Sequence, residues 1–439
     1  MYYGLDSNTV RYLMRKTRKE QNLRQEDVSD DEMSYGTISN IERGVINVKE
    51  KLIQKYLEKL GLTAPRLKRL VKKEQKRIDE LNFRLEIIES MLDNNKTEKA
   101  EQLLKEIKLE AFHPLAPYYA YLEGRCWQAE KDWRRAEKHY KLAIRLFNQY
   151  NLTVRKNISA ICFNELSICC YNQNNLEKAL HYVEKGIEKC NDKFDNYSKY
   201  PLLSNKILYL IHNMQYDAAN QALEEVWGDL ERIENIHIKL NLHKFRAQIL
   251  RKMGKYQEAL TVCSRGIDIA KQNRIQSYYL DLITVTGSIY LLKKQFEEAK
   301  LRFSAVLTYD YKTEFPRSHI DSLTYLAIIY EHEKEYEKAK EHIKKAVELA
   351  RKIPQVSRLA KALIVAGNIY LEQDIELAVR YYQEAEKVSE NKQQQYTALL
   401  QLTYCFDKMN EKDRWNSYIK KLVNVQRDIN LRSGEIYAI

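Results

Sequence analysis

Eleven polar side chains recur at matching places in a repeating frame: Tyr121, Arg125, Asn164, Asn205, Lys244, Gln248, Arg251, Thr284, Ser288, Thr324 and Asn368. Their types suit holding a partner rather than converting one. An asparagine amide both donates and accepts, so Asn164 and Asn205 on successive repeats can grip the backbone of an extended peptide. Arg125, Lys244 and Arg251 suit an acidic side chain or a terminal carboxylate. Taken singly, each residue is equally consistent with a hydrated inner surface; as a set they favour contact. The chain has no nucleophile elbow, glycine-rich phosphate loop or metal-ligand spacing, and Asp281 and Asp321 lack a recognisable acid–base partner. The expectation is a non-enzyme with no catalytic residue, metal or cofactor.

The elements that must position these groups are marked by eight alanines: Ala100, Ala136, Ala179, Ala219, Ala259, Ala299, Ala339 and Ala378. Around each, an apolar or aromatic residue stands three before, a large one four after and a small or apolar one seven after, as in Trp133, Ala136, Tyr140 and Ala143. Alanine is the smallest side chain that still favours a helix, so it lets the second helix of a hairpin approach the first. The spacings of 36, 43, 40, 40, 40, 40 and 39 residues exceed the 34 of the minimal tetratricopeptide repeat. Gly124, Gly287 and Gly367 are read as the small contacts of the first helices, which then line the groove with the polar residues above. A degenerate ninth hairpin is expected at Leu399 to Arg427. The fold class predicted is all-α: a five-helix N-terminal domain, then a right-handed tetratricopeptide superhelix of about nine hairpins.

Composition agrees. Only 12 Gly and 6 Pro occur in 439 residues, and 31% are charged. No stretch approaches the roughly 20 apolar residues of a membrane span, and a polar segment follows Met1, so a cytoplasmic protein without membrane contact is expected. Seven cysteines without a C-x-x-C pair, among them Cys126, Cys162, Cys263 and Cys405 on apolar helix faces, read as reduced core residues. The net charge is +12; residues 1–75 alone hold 16 Lys or Arg against 11 Asp or Glu. Arg66, Lys68, Arg69, Lys72, Lys73, Lys76 and Arg77 add a basic run, either a solvated helix face or a phosphate-facing one.

Upstream of the repeats, Val10 to Leu62 predicts five short helices. Lys19–Ser29 reads K-E-Q-N-L-R-Q-E-D-V-S, and Ser34–Gly44 reads S-Y-G-T-I-S-N-I-E-R-G. These 55 or so residues resemble the helix-turn-helix of phage-repressor-like (XRE/Cro family) domains. Gln25 to Ser29 forms the first helix of the motif, Ser34 caps the second, Gly44 ends it left-handed, and Val28, Ile38 and Ile41 face a small core. The resemblance pairs Arg18 with Glu42, a structural contact. It also places Tyr35, Gly36, Thr37 and Asn40 in the DNA major groove, with Asn40 the best direct reader of adenine. Arg24, Gln25, Arg43 and Lys49 are then the phosphate contacts. The chain departs from the family pattern at Ser29, at Gly36 and in the acidic turn Asp30, Asp31, Glu32, which would repel phosphate if it faced DNA. Such a domain can also serve as a protein–protein module.

The whole chain divides as residues 1–64 for the helix-turn-helix domain, 65–77 for a basic linker helix and 78–439 for the repeats. In that arrangement it resembles the RRNPP superfamily of Gram-positive quorum-sensing regulators, most of all its Npr branch. The resemblance implies a cytoplasmic transcriptional regulator that binds a palindromic double-stranded operator and is controlled by a short signalling peptide in the concave groove. It implies a homo-oligomer, dimer or tetramer, whose curvature or assembly the peptide changes. The alternative it leaves open is a peptide-controlled switch that sequesters a phosphorelay or other regulatory protein.

Overall fold

The computed structural model describes residues 4–45, 48–150, 152, 157–190, 196–309, 315–353, 356–389 and 391–433. Among them are twenty-two α-helices, one 3-10 turn at Leu230–Arg232 and no strand beyond an isolated bridge between Asp30 and Met33. The chain forms two compact units, Met1–Lys206 and Ile207–Ile439.

The first unit begins with a head of α1 (Ser7–Glu20), α2 (Gln25–Val28), α3 (Tyr35–Arg43), α4 (Glu50–Lys59) and the start of α5 (Ala64–Asp93). Local chemistry sets these boundaries. Asp6 caps α1 by accepting from the Thr9 amide at 2.7 Å, and Ser34 caps α3 by accepting from Thr37. Gly44 ends α3 at φ +72°, where its amide reaches back to the helix carbonyls, as the sequence led one to expect. Val10, Leu13, Met14, Val28, Met33, Ile38, Ile41, Ile53, Tyr56 and Leu57 make the head's core.

The fifth helix of the head is not a separate short element. Pro65 starts α5 in its first turn, and no further proline or glycine interrupts it before Asn94 and Asn95, the latter at φ +58°. Leu67 and Val71 of this helix fill the head's core, whereas Ile78, Leu85, Ile88 and Leu92 fill the first repeat core beside Leu104, Tyr118 and Tyr140. Residues 65–77 therefore lie inside one thirty-residue helix, with their seven cations exposed.

The repeats follow as hairpins. In the first unit α5 pairs with α6 (Thr97–Lys105), α7 (Ala116–Ala129) with α8 (Trp133–Gln149), and α9 (Ile158–Asn172) with α10 (Leu176–Lys189). After α11 (Asn196–His212) and α12 (Tyr216–Trp227), the second unit continues through α13 (Ile236–Lys252), α14 (Tyr256–Gln272), α15 (Gln276–Leu292), α16 (Phe296–Leu307), α17 (Pro316–His332) and α18 (Tyr336–Ala350). It ends with α19 (Val356–Tyr370), α20 (Ile375–Val388), α21 (Lys392–Lys408) and α22 (Lys412–Ser433), so the described residues make nine hairpins.

All eight frame alanines lie on second helices and are fully buried. The facing glycines explain why. A Cβ on Gly124 would come within 2.5 Å of the Tyr140 ring, and one on Gly287 within 2.7 Å of the Phe303 ring. Small residues thus alternate with aromatic ones across each hairpin, which is how ridges seat in grooves at close range. Most hairpins turn through a residue five places before the alanine in the left-handed region, among them Lys131, Asn174, Met214, Gly254, Lys294 and Lys334.

Candidate functional site

In the head, Arg18 donates to both carboxylate oxygens of Glu42, at 2.7 and 3.0 Å, and Tyr56 donates to the same carboxylate at 2.7 Å. Burial raises the Glu42 pKa, but the guanidinium and the two neutral donors outweigh it and hold the carboxyl below its ordinary value. This node ties α1, α3 and α4 together. Gln25 belongs to it as well: its amide donates to Glu42 at 2.9 Å, so that side chain faces the interior rather than a phosphate.

What α3 presents outward is its first turn. Tyr35 is 61% exposed, while Gly36, Thr37 and Asn40 are half-buried. Thr37 keeps its hydroxyl 3.1 Å from Ser34, inside the cap. A Cβ on Gly36 would meet only the Ser34 hydroxyl, at 3.7 Å, so the glycine leaves an open notch. Arg24 at the start of α2, Arg43 at the end of α3 and Lys49 before α4 are exposed.

The acidic turn carries less free charge than its sequence suggests. Lys55 and Lys59 of α4 reach Asp30 at 2.9 and 2.8 Å, and Lys55 also reaches Glu32 at 2.9 Å. The two lysines hold the Asp30 carboxyl well below the usual range. The repulsion expected of this turn is thus partly cancelled within the head.

The head is also docked on the repeats of its own unit. Tyr12 packs with Phe112, Ala116, Leu146 and Tyr150 in one buried cluster, its ring 5.7 Å from Phe112 and edge-on to His113 at 4.9 Å. Arg15 donates to the Tyr150 hydroxyl at 2.7 Å and lies over the Phe112 ring. Thr9 donates to Gln75 of α5 at 2.8 Å.

Along the first helices of the first unit, Asn205 donates to Asn164 at 2.9 Å, so the two amides do stand side by side. Tyr121 is buried and accepts from Arg125 at 3.0 Å, while the other end of that guanidinium meets Asp93 at 2.9 Å. Arg125 is already paired. Glu165, absent from the sequence expectation, accepts from Gln128 at 2.8 Å, and burial raises its pKa.

In the second unit Lys244 meets Asp281 at 3.1 Å, and Ser318 donates to the other oxygen of that carboxylate at 2.8 Å. Asp321 receives Arg358 at 3.0 Å and Lys361 at 3.8 Å. The two carboxylates that lacked partners in the sequence are links between neighbouring first helices. Arg251 donates to Ser288 at 2.5 Å. Gln248 is half-buried, and Asn368 accepts from the Tyr382 hydroxyl at 2.7 Å. Thr284 and Thr324 are buried and donate to carbonyls of their own helices, and Ser288 does the same to Val285. Those three hydroxyls are turned into the helix packing, a rotamer choice the spacing does not reveal. Arg358 was missed, and its signal was a recurring offset of 37 residues between first-helix partners; Lys361, which meets Asp321 at an offset of 40 and lies over Tyr325 at 36, carried no such signal.

The cysteines follow the expectation of core residues: none of the seven forms a disulfide, Cys190 is half-buried and the others are buried. Burial pushes Cys126, Cys263 and Cys405 up to about 11. Among the described residues no group of His, Cys, Asp or Glu is placed to hold a metal, and no helix is long and apolar enough to cross a membrane.

Comparison with known proteins places two segments. Residues 14–67 match the helix-turn-helix family, and residues 319–391 match the tetratricopeptide repeat. No curated protein matches the chain at the level of sequence. Among solved structures, a Rap protein complexed with competence and sporulation factor superposes with a TM-score of 0.58 at 14% identity, over 81% of this chain and 99% of that one. The apo form of the quorum sensor NprR from B. thuringiensis gives 0.54 at 16% identity, over 79% and 99%. Apo RapI gives 0.54 at 16%, over 81% and 99%. At such identities the likeness is one of fold. The chain thus carries a helix-turn-helix segment and a tetratricopeptide segment, in a fold like those of Rap and NprR.

Proposed function

We propose that the protein is a peptide-controlled transcriptional regulator, divided as 1–64, 65–77 and 78–439, acting in the cytoplasm as a dimer or tetramer on a palindromic operator. The observation that carries this reading is the outward first turn of α3, with Tyr35, Gly36, Thr37 and Asn40, held by the Arg18–Glu42 node on a head that is docked to the repeats. Asn40 reads a base edge, and Arg24, Arg43 and Lys49 neutralise phosphates. Each unit offers peptide contacts of its own, the Asn164–Asn205 pair in the first and Gln248 and Arg251 in the second. We place it nearest the Npr branch; the fold likeness to Rap and NprR supports a peptide-controlled regulator.

The test is selection of genomic DNA fragments by purified full-length protein, with and without synthetic peptides encoded beside its gene. A recovered palindrome whose binding responds to one peptide supports the reading; no sequence preference in either condition rejects it. A second reading, capture of a phosphorelay or other regulatory protein, is favoured by Leu400, Tyr404 and Val423, which are 43%, 49% and 59% exposed at the end of the array. A partner captured by the full chain and released by peptide supports that role.

A further inference from the structure

We propose that Glu165 of the first unit is the seat for a positively charged group of the bound peptide, an ammonium or a guanidinium. This deepens the peptide reading above and rests on it. Glu165 stands on α9, the first helix of its hairpin, and is half-buried. Gln128 of α7 donates to its carboxylate at 2.8 Å, and Asn164 beside it supplies a second hydrogen bond from a neutral amide.

Both amides are oriented by their other ends. The Gln128 carbonyl oxygen accepts from the Tyr140 hydroxyl at 2.8 Å and from the Cys169 thiol at 3.4 Å, which leaves its NH2 aimed at Glu165. The Asn164 oxygen accepts from Asn205 at 2.9 Å. Fixed dipoles therefore converge on one carboxylate, and both of its donors are neutral.

What the site lacks is a cation. Gln128 and Glu165 are separated by the 37 residues that join neighbouring first helices elsewhere, and at that offset Asp281 receives Lys244 and Asp321 receives Arg358. Glu165 receives an amide instead, and no described Lys, Arg or His makes an ion pair with it. Arg125, three residues before Gln128 on α7, is bonded to the Tyr121 hydroxyl and to Asp93. Glu42 in the head offers the contrast: it has two neutral donors and a guanidinium, and its carboxyl is held below the ordinary value. Glu165 has two neutral donors without the ion pair, and burial raises its pKa in spite of them and of the more distant Arg125. A carboxylate withdrawn from water is costly until it is paired, and an incoming cation completes the pair.

Glu165→Gln distinguishes a carboxylate held for a ligand from one held for the fold. The new amide oxygen still accepts from Gln128, so only the charge is lost. If the carboxylate waits for a cation, the ligand-free variant melts at or above the wild-type temperature; a clear fall in Tm would overturn the proposal. Binding is read by ultrafiltration and mass spectrometry of the full chain against three synthetic heptapeptide libraries. One has free N-termini and no Lys, Arg or His, the second is N-acetylated and contains Lys and Arg, and the third is N-acetylated without any of the three. Enrichment from the first identifies the terminal ammonium as the occupant, enrichment from the second a basic side chain. In either case Glu165→Gln should weaken binding of the recovered peptides by roughly tenfold or more, while Glu184→Gln, the same change at an exposed carboxylate of α10, should leave it unchanged. Equal recovery from the third library, or recovered peptides that bind Glu165→Gln as tightly as wild type, rejects the seat and leaves the peptide reading standing. If no library binds, the peptide reading fails and the seat with it.

Discussion

Arg15 of α1 and Tyr150 at the end of α8 are joined by a 2.7 Å hydrogen bond, across 135 residues of sequence, at the place where the head rests on the second hairpin. The guanidinium also lies 4.8 Å from the centre of the Phe112 ring and 3.9 Å from Glu42, the carboxylate that locks α3. One side chain therefore touches both the repeat surface and the node behind the outward helix.

Tyr150→Phe removes the hydroxyl that accepts from Arg15 and, at 3.4 Å, from its neighbour Gln149. A hydrogen bond to a charged group contributes about 1.5–3 kcal/mol, so the docking of α1 should weaken by an amount of that order. Amide hydrogen exchange across residues 7–20 reads it. Unchanged protection in the variant would mean that the apolar cluster around Tyr12 holds the head without help.

The same contact should respond to acid through His113, which is buried and whose pKa burial lowers to about 4 from its ordinary 6.5. Glu110 and Glu74 oppose that shift, and Lys16 adds to it. The folded protein keeps the ring neutral, whereas the unfolded chain takes up a proton near pH 6.5. The stability is thus fully present above 6.5 and is lost as pH falls toward 4, by about 3 kcal/mol at most. Thermal melts at stepped pH should show the loss in wild type and a flatter profile over that interval in His113→Phe. Parallel profiles would remove His113 as the cause.

Glu42→Ala should be among the most damaging single changes in the head. It leaves the Arg18 guanidinium buried without its carboxylate, and breaking a buried pair in this way costs about 3–5 kcal/mol. Because the folded carboxyl is held below its ordinary value, its contribution is present above about pH 4.5 and falls away as pH drops through the lowered pKa. Loss of the α1–α4 circular dichroism and proteolytic sensitivity of residues 4–60 would register the change; a head that survives intact would show that its core suffices.

Gly36→Ala separates folding from recognition. The notch is open, so the methyl fits, and alanine favours a helix over glycine by about 1 kcal/mol. Melting temperature should hold or rise. If α3 enters a major groove, the affinity for a selected DNA site should change at the same time, and an unchanged affinity would place that turn away from the bases.

Thiol labelling gives a separate check of the core. With six cysteines buried and Cys190 half-buried, one thiol per chain should react quickly with an aromatic disulfide reagent and the rest only after denaturant is added. Rapid reaction at Cys169 or Cys170 would contradict the packing of α9.

Much of this architecture was legible because it is local. The caps at Ser34 and Gly44 are set by residues within one turn, and each frame alanine is judged by its own helix. The glycines opposite the aromatic rings were visible for the same reason. What the sequence withheld was stagger. The frame alanines recur about every 40 residues, yet Lys244 meets Asp281, Asp281 meets Ser318 and Asp321 meets Arg358 at an offset of 37. The difference is close to one helical turn, the slip between neighbouring first helices, and only packing fixes it. For the same reason Asp281 and Asp321 looked partnerless, and the hydroxyls of Thr284 and Thr324 looked available. Gln25 turned inward because Glu42, seventeen residues on, offered an acceptor.

The unbroken α5 has one more implication. Thirty residues make a rod of about 45 Å, rooted at one end in the head and at the other in the repeats. A rod alone would let the head swivel about its axis, but the Tyr12–Phe112 contact is a second point of attachment off that axis. Two anchors fix the azimuth. The direction in which the outward helix faces is therefore set by the repeats of the first unit and not by the head alone. Inserting residues into α5 would not act as a longer tether; each added residue would turn the head by about 100° and tear it from its second anchor.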